Sequence, residues 1–272
     1  MQSNHRPDCA TAQKPPIVLI HGAWQGSWVF STWAPFLERQ QWQVHAVDLP
    51  GNGHSTDHFR PATLQGYTDH VLALLETLDA PAVIAGHSGG GITATQVAEA
   101  APERVRALVY LAGMMLPSSM SFRDLVRDAE QTTPGFDFSG IGPHLIWNDT
   151  RTQSCVPAEA AMALFLQDCD QDAARAAAGR LTPQTETGRA MHNQFSAPRH
   201  GQVPRIYVEC TQDRSIALPL QRSMQELSPG AARVTLDCGH VPQLARPALL
   251  TERLMPLLNA IPLHRSFSTA LA

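Results

Sequence analysis

"PAVIAGHSGGG", residues 81–91, runs an apolar stretch straight into a turn crowded with glycine. A turn of this kind cradles a phosphate or presents a nucleophile. The phosphate motifs require G-x-G-x-x-G or G-K-[ST], and the stretch supplies neither. What it supplies is G-x-S-x-G, with Gly86, His87, Ser88, Gly89 and Gly90 in order. In an elbow between strand and helix the serine sits in a strained turn, and side chains two residues away on either side would collide. Glycine at both positions removes the collision. The same turn aims the first helical N–H groups, including that of Gly89, at the place where an oxyanion would form. The bland reading is a glycine-rich turn with no task; the position between a buried strand and a helix favours the elbow.

Five further short runs rich in Val, Ile and Leu flank this one: "PIVLI" (16–20), "QVHAVD" (43–48), "ALVYLAG" (107–113), "RIYVEC" (205–210) and "RVTLD" (233–237). Runs apolar on both faces and separated by helix-length segments predict a parallel sheet covered by helices, an α/β architecture with right-handed crossovers. Helical spacing is read over 66–79 and 89–101, with Leu72, Leu75 and Leu78 on one stripe of the first. Residues 115–203 break the alternation, with no convincing strand, a Pro/Gly-rich stretch and an Ala-rich helical one. So long a connection carries structure of its own. It reads as a helical cap inserted into a core formed by 16–114 and 204–262; a separately folded helical domain is the alternative. Residues 1–15 and 263–272 read as loose termini.

Composition narrows the partners. The 272-residue chain is 43% hydrophobic and 16% charged, which fits a globular domain. A net charge of −4 and the lack of a Lys/Arg run leave no footprint for nucleic acid or an anionic membrane. Five scattered cysteines suggest reduced thiols, and no basic leader or 18-residue apolar run is seen, so a soluble, cytoplasmic protein is expected. The oligomeric state is not legible, and a homodimer stays open.

A serine nucleophile needs a base, and the base needs an orienting carboxylate. The fifth run ends in "ECTQDRS", which places Asp213 just past a strand, and the sixth ends in "DCGHVPQ", which places His240 in the equivalent loop one strand later. Both then face the crevice at the carboxyl ends of the strands. Glu209, read as pointing into or along its strand, and Asp237, read as a neighbour of His240, are the rival acids. His192 and His200 are read as surface residues, and His87 as packing or hydrogen-bonding behind the elbow. A second oxyanion donor is available in "HGAW" (21–24), where the turn brings the Ala23 N–H opposite that of Gly89. His21 and the "VDLPGNGHS" stretch with Asp48 (47–55) read as loop architecture. The twelve histidines form no metal-binding pattern, and neither a metal nor another cofactor is expected.

With these residues placed, the chain resembles α/β-hydrolase-fold serine esterases over roughly 16–260. Within them it is similar to the branch of plant hydroxynitrile lyases and salicylate methylesterases with their bacterial esterase relatives. The resemblance rests on "VLIHGAWQGSWVF", "VDLPGNGHS", "AGHSGGG", "LFLQDCDQDAARAAAGRL", "IYVECTQDRSIALPLQ" and "CGHVPQLARP". It implies a triad of Ser88, Asp213 and His240 with Ala23 and Gly89 as oxyanion donors. The lyases carry a threonine where this chain has Gly22 and a lysine where it has Val241, so the match is better to the esterases.

The expected activity is cofactor-independent hydrolysis of small, largely uncharged carboxylic esters through an acyl-enzyme. The substrate pocket is expected between sheet and cap, lined by Trp24, Met114, Met115, Trp147, Phe165 and Leu166, with few cationic side chains nearby. Two other readings use the same pocket: a lactonase or C–C bond hydrolase, and a small-molecule sensor with slow turnover.

Overall fold

The computed structural model describes residues 14–262. The loose termini expected at 1–15 and 263–272 lie, but for residues 14 and 15, outside the described residues. In chain order, the first half of the core comprises β1 (Pro16–Ile20), α1 (Ala34–Arg39), β2 (Gln43–Val47), α2 (Leu64–Glu76), β3 (Ala82–His87), α3 (Gly90–Ala100) and β4 (Val105–Leu111). An insertion follows, with α4 (Phe122–Thr132), β5 (Ile146–Trp147), β6 (Gln153–Cys155), α5 (Ala158–Leu164), α6 (Gln171–Ala178), β7 (Gln184–Thr185) and α7 (Glu186–Arg189). The chain then re-enters the core through β8 (Arg205–Cys210), α8 (Leu218–Leu227), β9 (Ala231–Leu236), α9 (Pro242–Ala245) and α10 (Pro247–Ala260).

Six of these strands form one sheet in the order β2-β1-β3-β4-β8-β9, every neighbouring pair parallel. Alternate residues of a strand point to opposite faces, so each run feeds two cores. Ile17, Leu19, Val83, Ala85, Val109 and Val208 pack on one face with α1 and α10 residues such as Leu37, Leu250 and Leu254. Val18, Ile20, Ile84, Leu108 and Tyr207 pack on the other with Val71 and Leu75 of α2, Ile92 and Val97 of α3, and Leu220 and Met224 of α8. The inner strands β1, β3 and β4 are buried along their whole length, whereas the edge strands β2 and β9 keep exposed positions. Polar positions on the edges discourage pairing with another chain. The Leu72–Leu78 stripe is met only in part: Leu75 is buried within α2, Leu72 is half-buried, and Leu78 is buried just beyond the helix end.

The sequence left 115–203 without strands, and here the structure differs. β5, β6 and β7 form a small antiparallel sheet. Each has only two or three residues, too few to display an alternation, and their buried positions include the polar Ser154 and Gln184. The Ala-rich stretch is helical as expected but divides into α5 and α6, the second started by Asp170, whose side chain accepts from the Asp172 and Ala173 N–H groups. Among the described residues no helix is long and apolar enough to cross a membrane.

Sheet order fixes where a site forms. The chain runs outward from β1 to β2 and then returns to place β3 on the other side of β1. The loops after β1 and β3 therefore diverge above adjacent strand ends, where Ile20 pairs with Gly86. Such a reversal opens a crevice at the carboxyl edge of a parallel sheet.

Candidate active site

Ser88 follows β3 directly and takes a left-handed backbone, φ +52°. Such an angle is costly for a residue with a Cβ and persists only where its surroundings enforce it. Here the Ser88 N–H donates to the Leu111 carbonyl (3.2 Å), and the Ser88 carbonyl accepts from Met114 (2.9 Å) and Gly91 (3.1 Å). The glycines two residues to either side have a steric reason. A Cβ on Gly86 would lie 2.6 Å from the Gly90 carbonyl oxygen, and one on Gly90 would lie 2.5 Å from that of Ile20. The turn closes only if both lack side chains. Gly89 caps the N-terminus of α3, so its N–H has no intrahelical partner.

The loop after β1 lies against this turn. A Cβ at Gly22 would sit 2.8 Å from the Ser88 Cβ, and one at Gly89 would sit 3.9 Å from the Ala23 nitrogen. The Ala23 and Gly89 backbones thus flank the serine. His21 pins the loop: its Nδ1–H donates to the Gly22 carbonyl (2.8 Å), and its Nε2 accepts from the Leu49 N–H (3.1 Å). Burial lowers its pKa, which keeps the ring neutral as this tautomer requires. Asp48, in the loop after β2, accepts from the Ser27 N–H (2.6 Å) and hydroxyl (3.0 Å).

Asp213 and His240 meet across β8 and β9, with Nδ1 of the imidazole 2.8 Å from a carboxylate oxygen and both side chains almost fully buried. The other Asp213 oxygen accepts from the Ser215 (2.7 Å) and Ile216 (2.9 Å) N–H groups, which fixes the carboxylate in a turn. A carboxylate only accepts, so in neutral His240 the proton sits on Nδ1 and Nε2 is the basic nitrogen. His87 lies behind: its Nε2–H donates to the His240 carbonyl (2.8 Å), and its Nδ1 lies 2.9 Å from the Gln25 side-chain amide. Burial and the neighbouring His240 push the His87 pKa well below the usual histidine value, so it braces the loop without a charge.

The rival residues face elsewhere. Glu209 is buried beneath Gln225 (3.0 Å), Thr235 (2.9 Å) and Arg222 (3.3 Å). Asp237 is exposed and accepts from Thr211 and Gln212. His192 is exposed, but His200, read from sequence as a surface residue, is buried. Its ring packs on Phe195 and lies 3.4 Å from the Tyr110 hydroxyl, and burial pushes its pKa down to about 4. The 3-10 turn that folds it inward is not legible in "PRHGQ".

Ser88, Gly89, Ala23 and His240 line one cavity of about 670 Å³ between the sheet and the insertion. Trp24, Met114, Trp147 and Phe165 also line it. Met115 and Leu166 do not. Each sits one residue from a lining position and turns into a core instead, Met115 on the α3 side of the sheet and Leu166 on the other. Three arginines of the insertion, Arg123, Arg151 and Arg189, also reach the wall, against the expectation of few cations. The fold of 115–203, which delivers them, was the least legible part of the sequence. Arg189 is paired with Glu186 through two bonds (2.7 and 2.8 Å), while Arg151 is exposed and lies over the Trp147 ring. Sequence reading also missed Asn52, Tyr67 and Gln184, three buried polar side chains of the wall; Asn52 lies in a stretch read as loop architecture, and Gln184 carries no motif.

The parallel sheet, the serine elbow at the crossover and the Asp–His pair in the loops after the last two strands are features of one fold family. The alpha/beta hydrolase family model matches residues 17–253, and the chain belongs to that family. A pyrethroid hydrolase of Sphingobium wenxiniae is 27% identical over 277 residues, covering 93% of this chain and 91% of that protein. Methylesterase 7 of Arabidopsis thaliana is 29% identical over 260 residues, covering 88% and 95%. These relatives agree with the branch that the motifs suggested. The crystal structure of a pyrethroid hydrolase from Sphingobium faniae JZ-2 superposes with a TM-score of 0.78 at 23% identity, over 90% of this chain and 98% of that one, and so shares the fold.

Proposed function

We propose that the protein is a serine esterase acting on small, largely uncharged carboxylic esters through an acyl-enzyme. The observation that carries this reading is the Asp213–His240 pair, which opens onto the same cavity as a serine held in left-handed backbone at a helix N-terminus. Fold alone would not support it, because this fold hosts many chemistries. Nε2 of His240 takes the Ser88 proton as the hydroxyl attacks the ester carbonyl. Asp213 holds the tautomer and steadies the imidazolium. The N–H groups of Ala23 and Gly89 stabilise the tetrahedral anion. His240 then protonates the leaving alcohol, and water activated by the same nitrogen releases the acid. No step calls for a cofactor.

Related proteins named pyrethroid hydrolase and methylesterase support an ester as the substrate. The wall beside the serine, with Trp24, Met114 and Phe165, suits an apolar body. The arginines do not overturn this, since Arg189 is neutralised by Glu186 and Arg123 and Arg151 are exposed to solvent. The lysine and threonine of the lyases are replaced here by a buried Val241 and by Gly22, where a Cβ would lie 2.8 Å from that of Ser88. A panel of neutral methyl and aryl esters, run beside lactones and diketones, tests the reading. Turnover of esters that falls about 10³-fold or more in Ser88→Ala is the expected result. Turnover confined to lactones or diketones would contradict it.

A further inference from the structure

We propose that the insertion is part of the catalytic machinery, with Gln184 and Asp168 as positioning residues, the first for the oxyanion donor at Ala23 and the second for His240. The proposal rests on the serine-esterase reading and adds to it which residues outside the core hold the reacting groups in place.

Trp24 directly follows Ala23, whose N–H lies one peptide unit before that of Trp24. Its backbone is left-handed, φ +61°, an unfavourable conformation for a bulky residue that must be imposed from outside. Nothing in the core loop imposes it through the polar groups of Trp24, because the insertion binds all three. The Trp24 N–H donates to Gln184 Oε1 (3.2 Å), the Trp24 carbonyl accepts from the Thr182 N–H (2.9 Å), and the indole N–H donates to Ser154 (3.2 Å). Gln184 is itself locked. Its Oε1 also accepts from Asn52 (2.6 Å), its Nε2 donates to the Tyr67 hydroxyl (3.1 Å), and that hydroxyl donates to Asn52 Oδ1 (2.9 Å). The ring of three side chains is buried on the cavity wall and ties core to insertion at the residue after the oxyanion donor. A satisfied buried network of this kind is rigid, and removing one member leaves the others unpaired.

A second, independent set of contacts reaches the base. Asp168 accepts the N–H of Gly239, the residue before His240, at 2.8 Å. The loops fit so closely that a Cβ on Gly239 would lie 2.4 Å from Gln167 and 2.6 Å from Asp168. Gln167 donates to the carbonyl of Gln212, the residue before Asp213 (2.8 Å). Phe165, three residues before Asp168, places its ring 5.4 Å from His240 and 6.3 Å from Trp24. One short segment of the insertion thus contacts both loops of the Asp–His pair and, through Phe165, the oxyanion loop. The insertion is fastened to the core elsewhere as well, as at Ala62, Ile92 and Glu99, so these contacts at the reacting loops are not needed for attachment alone.

The test compares Gln184→Met with Gln184→Glu, and Asp168→Ala with Asp168→Asn, with Ser88→Ala as control. Methionine fills the space of Gln184 without its acceptor, whereas glutamate and asparagine keep an acceptor for the Trp24 and Gly239 N–H groups. Gln184→Met and Asp168→Ala are expected to lower kcat about 10- to 100-fold, less than outright loss of an oxyanion donor, with KM within about threefold of wild type. Gln184→Met should weaken inhibition by a small alkyl boronic acid, which forms a tetrahedral adduct on the serine, by the same factor as kcat. Binding of the product alcohol should not change. Glutamate and asparagine should restore most of the rate. Unchanged kcat, a loss confined to KM, or a conservative variant as slow as the disruptive one at equal folded content would overturn the proposal. If Gln184→Met fails to fold, the pair Asp168→Ala and Asp168→Asn decides: a fall in kcat confined to the alanine variant supports the proposal, and wild-type kcat in both overturns it. Activity that survives Ser88→Ala would overturn the esterase reading itself; activity lost there but retained at wild-type kcat in the other variants would overturn only the positioning roles.

Discussion

Ser88 can hold φ +52° because the residues around it have given up their side chains where the chain doubles back. Gly22 extends that rule to the neighbouring loop, since any Cβ there would press on the serine at 2.8 Å. Gly22→Thr should therefore lower ester turnover at least about tenfold by displacing the nucleophile, without conferring cyanohydrin cleavage. Kinetics on both substrate types, with circular dichroism to confirm folding, checks this; a folded variant with wild-type esterase rates would contradict it. For Asp213, the acceptor for the Nδ1–H of His240 matters as well as its charge. Asp213→Asn should cost on the order of 10³- to 10⁴-fold in kcat, as expected when the imidazole is held in the wrong tautomer. At this scale the sequence was highly informative. G-x-S-x-G forces its own geometry, and Asp213 and His240 are short steps beyond recognisable strands. Gln184 carries no motif, and its hydrogen bond to Trp24 spans 160 residues. Asp168 lies in "LFLQDCDQDAARAAAGRL", but its partner Gly239 is 71 residues away, so the motif alone does not tell its role.

Element by element, legibility follows length and burial. β1, β3 and β4 are apolar on both faces, and their runs stand out at once. The strands of the insertion are two or three residues long, and Ser154 and Gln184 in them bind core residues far away in sequence, which no window of sequence reports. Trp147 in β5 shows the consequence. It was expected to line the pocket, and does, but Arg151 and Arg189, both later in the chain, bring their guanidinium groups 5.1 and 5.6 Å from its ring centre. Such cation–π contacts hold a large flat side chain in place. Trp147→Ala is expected to raise KM several-fold for bulky aryl esters and leave that for methyl acetate nearly unchanged. An equal rise for both would show that the residue shapes the insertion rather than the pocket.

Considered whole, the molecule buries histidines without charging them. His200 has its pKa pushed from 6.5 down to about 4 by burial, and His21 and His87 shift in the same direction. Between those two values the unfolded chain binds a proton that folded His200 refuses, so stability is full above pH 6.5 and falls as pH drops toward 4. The loss from His200 alone is up to about 3 kcal/mol. Urea unfolding at pH 7.5 and pH 4.5 should show the decline, and His200→Gln should reduce it, leaving the share of His21 and His87; equal stability at both values would contradict the assignment. Acid sensitivity of this kind is a property of the packed molecule, and the run "PRHGQ" gave no hint of it.

The central claim is that Ser88 becomes acylated. The most direct measurement is mass spectrometry on enzyme quenched within the first turnover of p-nitrophenyl acetate, with the rapid release of p-nitrophenol followed in parallel. The account expects a burst matching the enzyme concentration and one added acetyl group on the peptide carrying Ser88, both absent in Ser88→Ala. Steady turnover by wild type with no acetylated serine, or an equal burst from Ser88→Ala, would contradict it.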